Sequence, residues 1–234
     1  MSGRLSRLAE ALRQNRRVRG TFVKLPSVDV IEIAAQTLDF AVVDLEHSQL
    51  SEADALRLVR HAWVLDFPLL VRVHELDRGL VNRVLEAGAA GIQLSSVRRA
   101  AEVRELRDAC LYAPEGSRSV SLAHSLASFG ATPLAEYLAG IEPPLLVIQI
   151  ETRTTADPLG DLLAAGADVA FVGMTDLAVE YELDAERVRA RVDEIAAAAS
   201  AAGVTLGGFG DDERFAYTVA SSDVALLRQA YARG

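Results

Sequence analysis

A parallel (β/α)8 barrel is the fold this sequence predicts, and three observations carry it. Short apolar runs recur along the chain and each ends in polar residues: Phe40-Ala41-Val42-Val43 before Asp44, Leu69-Leu70-Val71 before Arg72, Leu145-Leu146-Val147-Ile148 before Gln149. Runs without polar alternation belong to strands covered on both faces, the habit of parallel sheets flanked by helices. Helix-period segments with start and stop signals separate those runs. At 234 residues, half of them hydrophobic, the chain is expected to form one barrel domain over 1–234, with an open doubly wound sheet as the lesser option.

In order, Ser6 to Asn15 reads as a short amphipathic lead-in helix, and Gly20 to Lys24 as a first strand closed by Pro26. Val28 to Gln36 is helical, and the second strand opens at Phe40. Ser51 with Asp54 three residues on forms a capping box, so a helix occupies 51–64 with Ala55, Leu58, Val59 and Ala62 on its apolar side. Leu69 to His74 is the third strand, Asp77 to Ala87 a helix stopped by Gly88, and Gly91 to Leu94 the fourth strand. Val97 to Cys110 is the next helix, and the turn at Ala113–Arg118 opens a serine-rich loop reaching about Pro133. Leu145 to Glu151 and Asp168 to Gly173 are strands five and six. Asp184 to Ala202 is a long alanine-rich helix stopped by Gly203, followed by strand seven at Val204–Gly208 and an eighth near Tyr217–Ser221. Only Phe209 to Ala216 separate the last two, whereas a parallel crossover normally takes a dozen residues or more. The sequence therefore predicts a lost helix or an irregular closure there.

Composition narrows the function. The net charge is −9 and the arginines are scattered rather than gathered into a stripe, which excludes nucleic acid as an expected partner. No apolar run is long enough to span a bilayer, and the arginine-rich start lacks the apolar centre of a signal peptide. The single cysteine, Cys110, excludes an intrachain disulfide or a thiolate metal cluster and reads as core. A soluble cytoplasmic protein without membrane partners is expected.

Four strands end in chemistry: Asp44, Glu46 and His47; Arg72; Gln149 and Glu151; and Asp176, just beyond Gly173-Met174-Thr175. In a barrel these ends open onto one face, so residues remote in sequence meet. Glu151 and Asp176 make a sparse all-oxygen pair, suited to a hard divalent cation such as Mg²⁺ or Mn²⁺, with Co²⁺ or Zn²⁺ as further options. Arg72 supplies a planar fork for a substrate carboxylate, and His47 is of the residue type that moves protons near neutral pH. Cation, clamp and base together point to enolisation of a 2-oxo acid.

The ordered motifs Gly20-Thr21-Phe22-Val23-Lys24-Leu25-Pro26-Ser27, Asp44-Leu45-Glu46-His47, Val71-Arg72-Val73, Leu85-Glu86-Ala87-Gly88-Ala89, Tyr112-Ala113-Pro114-Glu115-Gly116-Ser117-Arg118, Gln149-Ile150-Glu151 and Phe171-Val172-Gly173-Met174-Thr175-Asp176-Leu177 resemble those of the HpcH/HpaI aldolase and citrate lyase family. The resemblance runs from Gly20 to Leu177. It implies a metal-dependent (class II) pyruvate aldolase on a TIM barrel, acting on a 2-oxo acid and an aldehyde. It further implies a homo-oligomer, commonly a hexamer or trimer of dimers, with sites near subunit interfaces. On that basis His47 is the acid/base, Arg72 the pyruvate clamp, Glu151 and Asp176 the metal ligands, and Gln149 lines the site. Asp44 and Glu46 order metal-bound water, and the backbone at Gly173, Met174 and Thr175 holds the pyruvate carboxylate. Glu86 stands where an aspartate usually supports the histidine, often from a neighbouring subunit. Leu94-Ser95 replaces the usual Val-Pro, Ser119 a glycine, Met174 a proline and Ala178 a serine. These departures keep a specialised aldolase, or a related lyase or decarboxylase, among the expectations.

Three rivals remain at this level. A Schiff-base aldolase needs a lysine in the mouth, and Lys24 is the only lysine in the chain. A barrel without catalysis could serve as a binding protein. A lyase for coenzyme A thioesters would want a basic path, for which Arg98, Arg99 and Arg118 are a thin candidate. Acceptor recognition is expected on the loop from Ser117 to Thr132, with His74 and His124 facing that space, while His61 is structural.

Overall fold

The computed structural model describes residues 3–14 and 16–233, so Asn15, the predicted end of the lead-in helix, lies outside the described residues. Eight parallel strands close into a barrel in sequence order, β1 to β8, with β8 pairing back onto β1. The first three strands are β1 (Val18–Val23), β2 (Phe40–Asp44) and β3 (Leu69–Val73). They are followed by β4 (Gly91–Leu94), β5 (Leu145–Ile150), β6 (Val169–Val172), β7 (Thr205–Phe209) and β8 (Tyr217–Ser222). Side-chain alternation then sorts each strand. In β2, Phe40 and Val42 fill the barrel interior while Ala41 and Val43 pack outward against helices. Asp44 and Arg72 continue the inward rows of β2 and β3, where they are register partners. The apolar run thus sets which polar residue enters the mouth.

The helices form as the capping signals predict. In α2 (Val28–Thr37), Ser27 is the N-cap, and in α3 (Glu52–Val64) the Ser51/Asp54 capping box is complete. Asp77 caps α4 (Arg78–Ala87), which ends on left-handed Gly88. Helix α5 spans Ala100–Cys110, starting three residues later than predicted because Glu102 caps Arg98 and Arg99 from the N3 position. Cys110 is buried there, and burial pushes its thiol up to about 12, an inert core residue. Four short helices escape the sequence reading: α6 (Leu134–Gly140), α7 (Leu159–Leu163), α8 (Met174–Glu180) and, past the last strand, α10 (Asp223–Tyr231). The predicted serine-rich loop also contains a 3₁₀ turn at Ser125–Gly130. Between α8 and β7, α9 (Ala185–Ala202) ends on left-handed Gly203.

The anomaly between β7 and β8 is real: among the described residues no helix connects them. Seven residues, Gly210 to Ala216, lead back to the start of β8. The register pairs Tyr217 with Gly207 and Val219 with Phe209, so the return backs up only two residues, roughly 7 Å along the strand. A tight turn is enough, with Phe215 N–H donating to Asp212 O at 3.1 Å, and no crossover helix is needed. Phe215, 1% exposed, joins the outer apolar layer where the helix would have packed, and Gly208 leaves room for its ring. Closure carries a second irregularity, a register shift between Gly20 and Phe22 where β1 meets β8.

The barrel interior is a stack of rings. Phe40 stacks on Tyr217 at 4.2 Å, Tyr217 meets Phe171 edge-on at 6.2 Å, and Phe171 meets Phe22 edge-on at 6.3 Å. Below them, Leu8, Ala11 and Leu12 of α1 (Arg4–Arg13) join the same apolar cluster and close the floor. Glycines make room for the rings. A Cβ on Gly20 would lie 2.4 Å from the Phe40 ring. Gly20→Ala is expected to cost about 1–3 kcal/mol by overpacking. For a chain of this size that lowers the melting temperature by roughly 3–10 °C. A melting curve superimposable on that of the parent protein would show that the ring can give way.

Candidate active site

The exits of β2 and β3 build the deepest polar cluster at the barrel mouth. Asp44 is fully buried and Arg72 is 5% exposed. Arg72 Nε donates to Asp44 Oδ1 at 2.9 Å and Nη2 to Oδ2 at 2.7 Å, a bidentate pair. Lys24 Nζ reaches the same Oδ2 at 2.7 Å and donates to the His47 carbonyl at 2.9 Å. The backbone N–H groups of Glu46 and His47 close the shell on Asp44 Oδ1. Burial alone would raise the Asp44 carboxyl, but the hydrogen bonds from Arg72 and Lys24 and the charge of Arg72 hold it well below the usual carboxylate range. The guanidinium also lies 4.4 Å over the Phe22 ring, whose neighbour is Phe209 at the exit of β7. Arg72, predicted as a free fork, therefore spends its bidentate edge on Asp44 and leaves Nη1 for a ligand.

Glu46 lies just past the end of β2. Its Oε1 accepts from Ser95 Oγ at 2.8 Å and lies 3.2 Å from His74 Nδ1. Its Oε2 is buried without a hydrogen-bond partner, with Arg72 Nε at 3.5 Å. His47 is largely exposed beside it, Nε2 being 3.9 Å from Glu46 Oε2.

On the far side of the mouth Glu151 follows β5 and is 6% exposed. Gln149 Nε2 donates to its Oε2 and Ser96 Oγ to its Oε1. Gln149 is itself fixed by Gln93 Nε2, which donates to its Oε1 at 2.9 Å. Among the described residues no Lys, Arg or His pairs with Glu151. A buried carboxylate without a counter-charge is unfavourable by several kcal/mol, and a cation relieves it. Gly173, at the exit of β6, lies so close that a Cβ would strike Glu151 Oε2. Asp176, three residues on in the first turn of α8, is exposed and carries no ion pair among the described residues. The donor set is all-oxygen and sparse, so Glu151 and Asp176 fit a hard divalent ion. No group of three or more His, Cys, Asp and Glu with metal-binding geometry exists among the described residues. The Gly173 N–H is committed to Ile150 O at 3.0 Å, which leaves the amides of Met174 and Thr175 as the open donors at the head of α8.

The structure brings Asp44, Glu46, His47, Arg72, Gln149, Glu151, Gly173, Met174, Thr175 and Asp176 to one end of the barrel. It does not bring Glu86 there. That residue sits in the last turn of α4, beside the start of β4 at the opposite end, where its charge is felt by Tyr137. His74 does reach the mouth, but His124 is buried under its own loop, with Nε2 2.8 Å from Ser121 O and its ring edge-on to Tyr137. Arg118 is likewise buried, stacked 4.7 Å over Tyr112, and cannot serve as a surface path for nucleotide phosphates. An open cleft lined by Phe67, Pro68, Ala90, Tyr137 and Pro144 lies at the strand starts, away from this chemistry, so the site is placed by its ionisable groups rather than by concavity.

Sequence reading missed Ser95 and Ser96 as partners of the two glutamates. The signal was their position directly after the last residue of β4, the same exit position that singled out the other strands. It also missed Asp223, whose Oδ2 accepts the N–H groups of Lys24 and Leu25 and pins the exit of β1.

A family model described as HpcH/HpaI aldolase/citrate lyase matches residues 19–223. The chain is 31% identical over 189 residues to a 4-hydroxy-4-methyl-2-oxoglutarate aldolase of Hapsidospora irregularis, covering 76% of this chain and 69% of that one. It is 30% identical over 181 residues to a hydroxypyruvate/pyruvate aldolase of Sagittula stellata, covering 75% and 70% respectively. The crystal structure of an HpcH/HpaI aldolase from Desulfitobacterium hafniense DCB-2 superposes with a TM-score of 0.88 at 27% identity, covering 97% of this chain and 94% of the other.

Proposed function

Because this chain belongs to the HpcH/HpaI aldolase/citrate lyase family and is a carbon–carbon lyase, we propose that it cleaves or forms a hydroxy-2-oxo acid through a pyruvate-type enolate, with an aldehyde as the second partner. The observation that carries this reading is Glu151, a buried carboxylate held by two neutral donors and left without a counter-charge, on the mouth that also holds the Asp44–Arg72 pair. Both relatives are named for short 2-oxo acids, which supports the same substrate class.

Glu151 and Asp176 would hold a divalent ion, Mg²⁺ or Mn²⁺ before Co²⁺ or Zn²⁺, on the chemistry of their oxygens. When bound, such an ion polarises the substrate's 2-oxo group and stabilises negative charge on its oxygen. Arg72, oriented by Asp44, presents Nη1 to the substrate, while the amides of Met174 and Thr175 receive its carboxylate. In the cleavage direction His47 takes the proton of the aldol hydroxyl, the carbon–carbon bond breaks, the aldehyde departs, and the electron pair remains as the enolate. Return of a proton to the methyl carbon gives the 2-oxo acid. Glu46, whose buried Oε2 has no hydrogen-bond partner, would with Asp44 order water bound to that ion, as the family resemblance implies. Glu86 would act only in a neighbouring copy's mouth, so we place the chain in a homo-oligomer, a hexamer by family resemblance. No helix among the described residues is long and apolar enough to cross a membrane, and we assign the protein to the cytoplasm.

A Schiff-base mechanism is disfavoured by a specific contact, since Lys24 Nζ is tied to Asp44 and to the His47 carbonyl. Deuterium exchange into the methyl group of pyruvate, followed by proton NMR, tests the reading. Exchange is expected with Mn²⁺ or Mg²⁺, to vanish with chelator and in Asp176→Ala, and to survive treatment with borohydride in the presence of pyruvate. Chelator-resistant exchange that borohydride destroys would transfer the chemistry to Lys24. No exchange with any divalent ion, from folded protein, would sink the pyruvate reading.

A further inference from the structure

The exit of β4 offers two consecutive serines whose hydroxyls diverge. Ser95 is 3% exposed and donates to Glu46 Oε1 at 2.8 Å, while Ser96 donates to Glu151 Oε1. We propose that Ser95 and Ser96 are paired positioning residues, Ser95 for the water-ordering acid Glu46 and Ser96 for the cation ligand Glu151. The proposal rests on the enolate reading for what the two acids do.

The geometry explains the division of labour. Strand β4 lies between β3 and β5, so its exit faces the loop after β2 across one neighbour and Glu151 across the other. Ser96 has a φ of +54°, a left-handed conformation uncommon outside glycine, asparagine and aspartate. That turn sends adjacent side chains to opposite carboxylates, and the next residue, Val97, ties back to Gln149 O at 3.0 Å. Backbone strain of this kind, in a serine whose hydroxyl lands on a buried acid, points from an observed outlier to a role.

A glutamate side chain turns about three bonds, and each donor removes freedom from it. Glu151 is fixed from both sides, Oε1 by Ser96 and Oε2 by Gln149, with Gln93 behind Gln149. Each carboxylate oxygen has a further lone pair for a cation. Glu46 is fixed at Oε1, by Ser95 with His74 beside it, so Oε2 is the oxygen left to accept. Proline, the residue that the family resemblance leads one to expect at 95, has no hydroxyl and no N–H. It could make neither the bond to Glu46 nor that from Ser95 N to Val73 O at 3.0 Å. The departure at 95 thus adds a donor to the site.

The test measures Mn²⁺ binding to the full chain by calorimetry, melting temperature as the fold control, and pyruvate-methyl exchange at saturating Mn²⁺. Ser96→Gly removes the hydroxyl and relaxes the left-handed backbone, and is expected to weaken Mn²⁺ binding about tenfold, as loss of an outer-shell partner does. Ser96→Asn keeps a donor in a residue that tolerates this backbone, and should restore most of that loss. Ser95→Ala is expected to leave Mn²⁺ affinity within about twofold while slowing exchange about tenfold, with Ser95→Thr restoring the rate. Wild-type Mn²⁺ affinity in Ser96→Gly, or equal effects of both deletions on both readouts, would overturn the proposal while leaving the enolate reading intact. A parent protein with no saturable Mn²⁺ binding would sink the metal-dependent reading and this proposal together.

Discussion

Arg72→Met is expected to be the most destabilising single change at the mouth, costing about 3 kcal/mol and abolishing exchange on pyruvate. Removing one partner of a buried ion pair leaves the other charge desolvated, and Asp44 has no exposed surface through which water could compensate. The loss stays at the lower end of the usual 3–5 kcal/mol because Lys24 Nζ remains 2.7 Å from Asp44 Oδ2. A melting temperature lower by about 6–12 °C is the corresponding signature for a chain of this size. Arg72→Lys should rescue little, since an ammonium cannot bridge both carboxylate oxygens as the fork does. The effect also has a pH signature. The folded Asp44 carboxyl lies below its ordinary value of 3.8, so its contribution is fully present above that pH and is lost as pH falls below it. In Arg72→Met the burial that raises the carboxyl is less opposed, and acid destabilisation should begin at higher pH. Melting curves between pH 7 and pH 3 decide the matter: a variant that melts within 2 °C of the parent (roughly 1 kcal/mol or less) throughout that range would mean the pair contributes little.

Glu151→Gln is expected to do the reverse to stability while removing function. Glutamine is close to isosteric and can accept from Gln149 while donating to Ser96 Oγ, so both existing neighbours remain satisfied. The metal-free protein then loses an uncompensated buried charge, and its melting temperature should stay level or rise by about 2–4 °C, equivalent to about 1 kcal/mol. Mn²⁺ binding should disappear in calorimetry, and with it the metal-dependent exchange. Such an opposition is common where a site is kept strained for its task. A variant that melts several degrees lower, or that still binds Mn²⁺ as the parent does, would show that Glu151 is a structural acid.

The strands were legible because a parallel barrel demands apolar residues on both faces, and the runs at Phe40, Leu69 and Leu145 have them. The position of the polar exits followed from the same runs, since alternation carries the inward row of β2 through Val42 to Asp44. The missing crossover helix followed from chain length alone. What could not be read was the pairing across strands. Asp44 and Arg72 become partners through the register of β2 against β3, and only that register turns an apparently free arginine fork into a spent one. Helices α6 to α8 are five to seven residues long, too short for periodicity to speak. Ser95 looked like drift from the family pattern because a hydroxyl has meaning only once its acceptor, Glu46 from another strand, stands beside it. His124 was misplaced for a related reason, because its loop folds back over Tyr137 instead of reaching over the mouth.

The floor made by Leu8, Ala11 and Leu12 under the ring stack gives the barrel a single door. Arg72 and Glu151 are buried, while His47, Phe209 and Asp176 are exposed at that same end. On the proposed reading the small acid would be the tenant of the inner room and the aldehyde its visitor, so the acid would be the first to bind and the last to leave.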